Sequence, residues 1–209
     1  MNPQTSAIPA PDTRPPGPPR FILASASPRR RELLAMHGYF PEIIPAGVTE
    51  FEDPEADPCA MVLHNAALKA RHLAALHPDA LVLGADTTVA IDGRVLNKPA
   101  GMEEARAMLH RLSGRVHTVF TGVAIVWNAR AIDKTFHIQN RVRFKPLTDA
   151  IITGYFKIVN PLDRAGAYGI QDGRELIIAS HDPPISNIMG LPVERVVPLL
   201  EELGLRPRL

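Results

Sequence analysis

The chain has one cysteine, Cys59, in 209 residues. A single cysteine can form neither an internal disulfide nor a cysteine-rich zinc site, and it suits a reducing compartment. Net charge is nearly absent: 23 Lys and Arg against 22 Asp and Glu leave +1. That balance argues against a general nucleic-acid or membrane-surface binder, while leaving room for a local basic cluster that grips phosphate. No apolar run approaches the ~20 residues of a membrane span. The richest stretch, Val119 to Trp127, is about half that length and reads as a strand. The GxxxxGK(S/T) phosphate loop and the dinucleotide GxGxxG fingerprint are both missing, and His64, His110 and His117 lack metal-ligand spacing.

What is present is ordinary globular composition, 45% hydrophobic and 22% charged, enough to bury a core. Proline is abundant but uneven: seven of the 21 fall in residues 1–20. Residues 1–19 are therefore expected to form a disordered Pro-rich tail, followed by a single domain over 20–209. The tail has no basic start followed by an apolar stretch, so it is not a secretory signal, and a cytoplasmic protein is expected.

Helix and strand signals alternate along the rest. Phe21–Ser25 reads as the first strand, and Ser27-Pro28 as a helix start with Ser at the N-cap and Pro at the first helical position. A second strand falls near Phe40–Ile44. Asp57-Pro58 repeats the start signal ahead of an Ala/Leu-rich helix reaching about His77. Leu81–Ala85 reads as a buried strand with Asp86 at its C-terminal end. Asp92-Gly93 between Thr87–Ile91 and Arg94–Leu96 is a strong hairpin signal. Met102–Leu112 is helical, Val116–Val126 and Lys134–Phe144 are long strands, and Thr148–Val159 is a capped helix. Leu176–Ala179 reads as a short strand. A last helix opens at Pro192, and Pro198 is expected to kink or split it. The class is α/β with a mixed sheet.

Three features carry chemistry. Arg29, Arg30 and Arg31 occupy the first turn of the helix after Ser27, where the dipole disfavours each cation by ~0.3–1 kcal/mol. An anion held there by guanidinium forks and free N–H groups would reverse that cost; a solvated basic helix end would not. Asp86 follows an apolar strand, a usual place for a metal ligand or base, although a turn-forming Asp reads the same way. Lys98 is near in sequence, Lys69 sits on an Ala/Leu-rich helix face, and Glu50 belongs to an acidic loop with Glu52, Asp53 and Glu55. That loop could hold Mg²⁺ or simply be solvated. Finally, Gly166-Ala167-Tyr168-Gly169-Ile170-Gln171 suggests either close backbone approach to a ligand or a tight structural loop.

Together these blocks resemble one family. Leu23-Ala24-Ser25-Ala26-Ser27-Pro28-Arg29-Arg30-Arg31-Glu32-Leu33-Leu34 is similar to the opening signature of the Maf family of nucleotide pyrophosphatases. Gly84-Ala85-Asp86-Thr87, Lys98-Pro99, Ser113-Gly114, Pro161-Leu162-Asp163, Ala165 to Gln171 and Gly190-Leu191-Pro192 follow in family order across residues 21–204. The resemblance implies an elongated Maf/ITPase-like α/β fold, a mixed sheet with flanking helices and two lobes around a deep cleft, often dimeric. It implies hydrolysis of a nucleoside triphosphate between the α and β phosphates, with a divalent cation, Mg²⁺ or Mn²⁺, as cofactor. Asp86 takes the proton-acceptor position, and Ser25, Arg29, Arg30, Glu50, Lys69 and Lys98 take positions lining the cleft. Glu50 and Asp86 are the carboxylates for the metal, and whether Asp86 is base or metal ligand stays open.

The family divides by base preference. Arg29, Thr87 and Gln171 resemble the subgroup acting on dTTP, UTP and modified pyrimidine nucleotides; the 7-methyl-GTP subgroup typically has Trp, Gln and Glu there. Two departures stand out. Asp172-Gly173-Arg174-Glu175 and Ser180 to Pro184 differ from the usual glycine-rich segments, and His64-Asn65 replaces a common Arg-Leu pair. The rival reading is a nucleotide-binding regulator of cell division without turnover; Asp86, Lys69 and Lys98 favour the enzyme. The implied partners are the nucleoside triphosphate and a second copy of the chain, with no nucleic acid and no membrane.

Overall fold

A seven-stranded mixed sheet organises residues 19–208, the part of the chain that the computed structural model describes. Its order is β2 (Glu42–Ile43), β1 (Phe21–Leu23), β3 (Leu81–Ile91), β5 (Val116–Trp127), β6 (Ile132–Phe144) and β7 (Ile178–His181), with β4 (Arg94–Leu96) hairpinned onto β3. β2, β1 and β3 run parallel; every other pairing is antiparallel. The tail expected over residues 1–19 lies, Pro19 apart, outside the described residues.

β3 differs from its expected end at Ala85. It continues to Ile91 because β5 pairs with it without interruption from Val82 opposite Val126 to Ala90 opposite Thr118. β1, in contrast, stops pairing at Leu23 opposite Leu83. Asp86 is thus mid-strand, not at a strand terminus, but it lies just beyond the point where the short parallel neighbour ends. That missing neighbour opens the sheet for a ligand.

Small residues set the depth of the site. Helix α2 (Pro58–Leu76) lies on one sheet face, its Ala66, Ala67, Ala70 and Ala74 packed with Ile22, Val82, Ala124 and Val126. Gly84 and Gly122 admit it: a Cβ on Gly84 would lie 2.4 Å from the Ala66 carbonyl oxygen, and one on Gly122 would lie 2.3 Å from that of Val62. Side chains alternate along a strand, so Val82, Gly84 and Asp86 share this face. The close approach therefore lowers Asn65 and Lys69 of α2 onto Asp86. On the opposite face, α1 (Pro28–Met36) and α7 (Val193–Glu202) cover Leu81, Leu83, Ala85, Val123 and Ile125. A third cluster joins Val89, Leu96, Phe144 and Tyr168 to α3 (Met102–Leu112) and α4 (Asp149–Phe156).

Local chemistry explains most element starts. The Asp57 carboxylate accepts from Cys59 N–H at 3.1 Å, and the Thr148 hydroxyl accepts from Ile151 N–H at 3.3 Å. Asp92 and Gly93 both have positive φ, 56° and 72°, as the two-residue hairpin turn demands. Two elements depart from expectation. The strand expected over Leu176–Ala179 begins only at Ile178, because Leu176 and Ile177 belong to a helical turn, α5 (Arg174–Ile177), and a short helix, α6 (Ile185–Met189), precedes Gly190. α7 is not split by Pro198. Its apolar stripe of Val193, Val196 and Leu200 is buried, whereas Pro198 and Glu194, whose carbonyl loses its partner, face solvent.

Candidate active site

Where the three clusters meet, the sheet and its loops enclose a cavity of about 520 Å³. Ser25, Arg29, Arg30, Glu50, Lys69, Asp86, Thr87, Lys98 and Gln171 all line it. Residues separated by up to 146 positions in sequence thus share one cleft (Ser25 to Gln171).

Its centre is a buried acid–base cluster. Lys69 Nζ lies 2.5 Å from Glu50 Oε2 and 2.8 Å from Asp86 Oδ1, and it also reaches the Ala85 carbonyl at 3.4 Å. Asn65 Nδ2 donates to the other oxygen of Asp86 at 3.2 Å. Burial pushes the Asp86 carboxyl up, but the charge and hydrogen bond of Lys69, followed by the charge of Arg30, outweigh it and hold the group below the usual carboxylate range. Glu50 moves the other way: burial and the neighbouring Asp86 raise it, and Lys69 only partly offsets them. The pair is thereby divided into one firmly ionised carboxylate and one that takes up a proton more readily.

The arginine cluster is divided as well. Arg30 turns inward and is buried. Its Nε donates to the Gly190 carbonyl at 2.8 Å, Nη1 to Ser25 Oγ at 2.9 Å and Nη2 to Thr87 Oγ1 at 3.1 Å. Thr87 Oγ1 lies 2.9 Å from Thr121 Oγ1, directly across the β3–β5 pairing. Arg29 is half-buried on the cleft wall, with Asp163 at 4.0 Å, and its guanidinium is lowered by burial and by the charge of Arg164. Arg31 is exposed and does not line the cavity. Ser27 takes the N-cap backbone conformation, but its side chain caps nothing; its N–H instead donates to Ser25 Oγ at 3.2 Å. The helix-dipole cost of Arg30 is offset by fixed acceptors, not by an ion alone.

Lys98 and Gln171 are exposed at the cleft mouth, so the glutamine amide is not a buried recognition group. The adjoining loop is pinned by Arg164, which donates to Asp172 Oδ2 at 3.1 Å and pairs with Asp163 at 3.5 Å. A Cβ on Gly169 would meet Arg164 Nη1 at 1.8 Å, so this glycine exists to let the guanidinium pass under the chain. Sequence reasoning missed Arg164, and it marked Asn65 only as a departure from a common leucine, without a role. Each is polar, in a segment otherwise rich in small or apolar residues, and that contrast was the available signal.

Glu50 and Asp86 are chemically suited to a divalent cation. Among the described residues no three His, Cys, Asp or Glu side chains converge, so no all-protein cage exists. Mg²⁺, however, commonly uses one or two carboxylates and takes its remaining ligands from substrate phosphates and water. Two carboxylates converging on one lysine nitrogen in a cation-rich cleft fit that mode.

A carboxylate pair ringed by Arg29, Arg30, Lys69 and Lys98 at the opening of a mixed sheet suits a polyphosphate ligand. The chain belongs to the Maf family: the family model described as Maf-like protein matches residues 20–203. It is 46% identical over 185 residues to the dTTP/UTP pyrophosphatase of Moorella thermoacetica, covering 88% of this chain and 95% of that one. It is 43% identical over 188 residues to the dTTP/UTP pyrophosphatase of Akkermansia muciniphila, covering 90% and 98%. A solved structure, the Ham1 protein of Staphylococcus aureus, overlaps at a TM-score of 0.42 with 14% identity over 59% of this chain and 71% of that chain, too loose a likeness to bear on function.

Proposed function

We propose that this protein hydrolyses dTTP, UTP and modified pyrimidine nucleoside triphosphates to the monophosphate and pyrophosphate, as a housecleaning enzyme of the nucleotide pool. The observation that carries this reading is Lys69 set between Asp86 and Glu50 in a cleft with arginines on its wall. Family membership and the names of the relatives support it.

Arg29 and Lys98 neutralise the triphosphate, and Arg30 holds Ser25 and Thr87 in place beside it. Lys69 and Arg30 keep Asp86 ionised, so its carboxylate can orient the attacking water and accept its proton as the α-phosphorus is approached. Asp86 and Glu50 would hold Mg²⁺ or Mn²⁺, which when bound supplies Lewis-acid polarisation of the phosphoryl oxygens. Arg29, Thr87 and Gln171 set the preference for the pyrimidine base. The active unit spans residues 20–209 and works as a homodimer in the cytoplasm, with neither nucleic acid nor membrane as partner. No helix among the described residues is long and apolar enough to cross a membrane.

The test is pyrophosphate release from dTTP, UTP, 7-methyl-GTP, ATP and GTP with Mg²⁺ or Mn²⁺. Strong release from the first two and weak release from the others supports the reading. Preference for 7-methyl-GTP overturns the substrate class, and tight binding without release turns the protein into a nucleotide-binding regulator.

A further inference from the structure

Asn65 lies on α2 one turn before Lys69, is buried, and faces the cleft. Its carboxamide makes three hydrogen bonds at once. Oδ1 accepts from Phe51 N–H at 2.8 Å, Nδ2 donates to the Phe51 carbonyl at 2.9 Å, and the same Nδ2 donates to Asp86 Oδ2 at 3.2 Å. The Phe51 N–H belongs to the peptide that joins it to Glu50. One side chain therefore fastens the backbone of the acidic loop to the strand that carries Asp86. The other ties of the loop lie farther along, where Asn97 Nδ2 donates to the Glu52 carbonyl at 3.2 Å, Val95 N–H donates to that of Pro54 at 2.9 Å and Arg94 pairs with Glu55 at 2.8 Å; at Phe51 itself the side chain is exposed and its ring meets His64 only edge-on, at 6.3 Å between centroids.

A leucine, common at this place in sequences that this chain resembles, could form none of these bonds. The two-pronged pairing with the N–H and carbonyl of Phe51 also cannot be copied by a carboxylate, which only accepts. We propose that Asn65 is a positioning residue: it clamps the Glu50–Phe51 peptide against Asp86 and so fixes the Glu50 carboxylate beside Lys69. The proposal rests on the functional reading above for its kinetic consequence, and on the clamp geometry alone for its structural one.

The experiment compares wild type with Asn65→Leu and Asn65→Asp, each alone and with Glu50→Gln. Hydrogen exchange of the Phe51 amide is read by NMR, and dTTP hydrolysis is measured with Mg²⁺. The leucine variant should expose the Phe51 amide, speeding its exchange by about tenfold, while amides in the middle of α2 keep their protection. Its kcat should fall by about 10- to 100-fold and its KM change by less than about threefold, since a displaced carboxylate costs more in the transition state than in binding. The aspartate variant keeps an acceptor for Phe51 N–H, so it should retain most of the exchange protection. It should still lose kcat, because it donates nothing to Asp86 and crowds it with a third negative charge. In the Glu50→Gln background the loss of kcat caused by Asn65→Leu should largely vanish.

Unchanged Phe51 exchange in the leucine variant overturns the clamp. An equal loss of kcat with and without Glu50, or a lower melting temperature with intact kcat, overturns the positioning role. If wild type hydrolyses no nucleotide, the functional reading and the kinetic half of the proposal fail, and Phe51 exchange still decides the clamp.

Discussion

Replacing Lys69 with methionine should leave Glu50 and Asp86 facing each other with no cation between them. The volume change is small, so the effect is electrostatic. Lys69 is buried, and its two partners lie at 2.5 and 2.8 Å, with side-chain exposures of 31% for Glu50 and 13% for Asp86. Breaking a buried ion pair costs ~3–5 kcal/mol. Glu50 is partly wet and Arg30 still faces Asp86, so about 2–4 kcal/mol is expected here, roughly 4–16 °C in Tm for a domain of this size. The sign of the pH dependence follows from the directions of the shifts. In wild type the Asp86 carboxyl is depressed, so its ionised form stabilises the fold above the ordinary carboxylate range and that contribution is lost as pH falls below about 4. Without Lys69 burial pushes both carboxyls up and the charge of Asp86 raises Glu50 further, while Arg30 still lowers Asp86. The penalty is then greatest where both are ionised and relaxes as one takes up a proton. Melting curves of wild type and Lys69→Met at pH 8 and pH 5, about 3 units apart, should show a large deficit at the upper pH and a clearly smaller one at the lower. A deficit of equal size at both, or none at either, would refute the buried-cluster argument.

Arg30→Ala should abolish most turnover and also lower Tm by roughly 4–16 °C, since two buried hydrogen bonds, a part-buried third and a buried side chain are lost for about 2–4 kcal/mol. Relief of the dipole at the start of α1 is too small to compensate, and an unchanged Tm would contradict this. Asp86→Asn is nearly isosteric and should fold, while kcat for dTTP falls by about 100-fold or more; near-normal kcat would remove Asp86 from the mechanism. Gln171→Glu should lower kcat/KM for dTTP relative to 7-methyl-GTP by only ~2- to 10-fold, because the amide is exposed and its hydrogen bond is worth about 0.5–1.5 kcal/mol. An unchanged ratio would move base recognition to the segment from Asp172 to Pro184.

The elements that were legible in the sequence are those whose chemistry is local. Asp57-Pro58 announces α2, Asp92-Gly93 the β3–β4 turn, and the alternation of Phe136, Ile138, Val142 and Phe144 marks one face of β6. Asp86 was misplaced to a strand end because nothing near it in sequence reports that β5 pairs with β3 to Ala90. α6 was missed for a similar reason: its buried Asn187 is held by Thr121 and Asn140 of distant strands, which nothing near it in sequence reports. At the site, the residues that the sequence singled out do share one cleft, but their burial was illegible. Arg30 and Arg31 are adjacent and chemically identical, and only the turn of α1 sends one inward and the other to solvent. Gln171 lies exposed at the mouth, and nothing in the glycine-containing segment around it reports that.

The central claim is attack of water on the α-phosphorus with Asp86 as the proton acceptor. Hydrolysis of dTTP in ¹⁸O-labelled water, with both products weighed by mass spectrometry, tests it most directly. The account predicts dTMP and pyrophosphate, with the label in dTMP and none in pyrophosphate, and loss of both products together in Asp86→Asn. Label in pyrophosphate, or release of orthophosphate with dTDP, would contradict it.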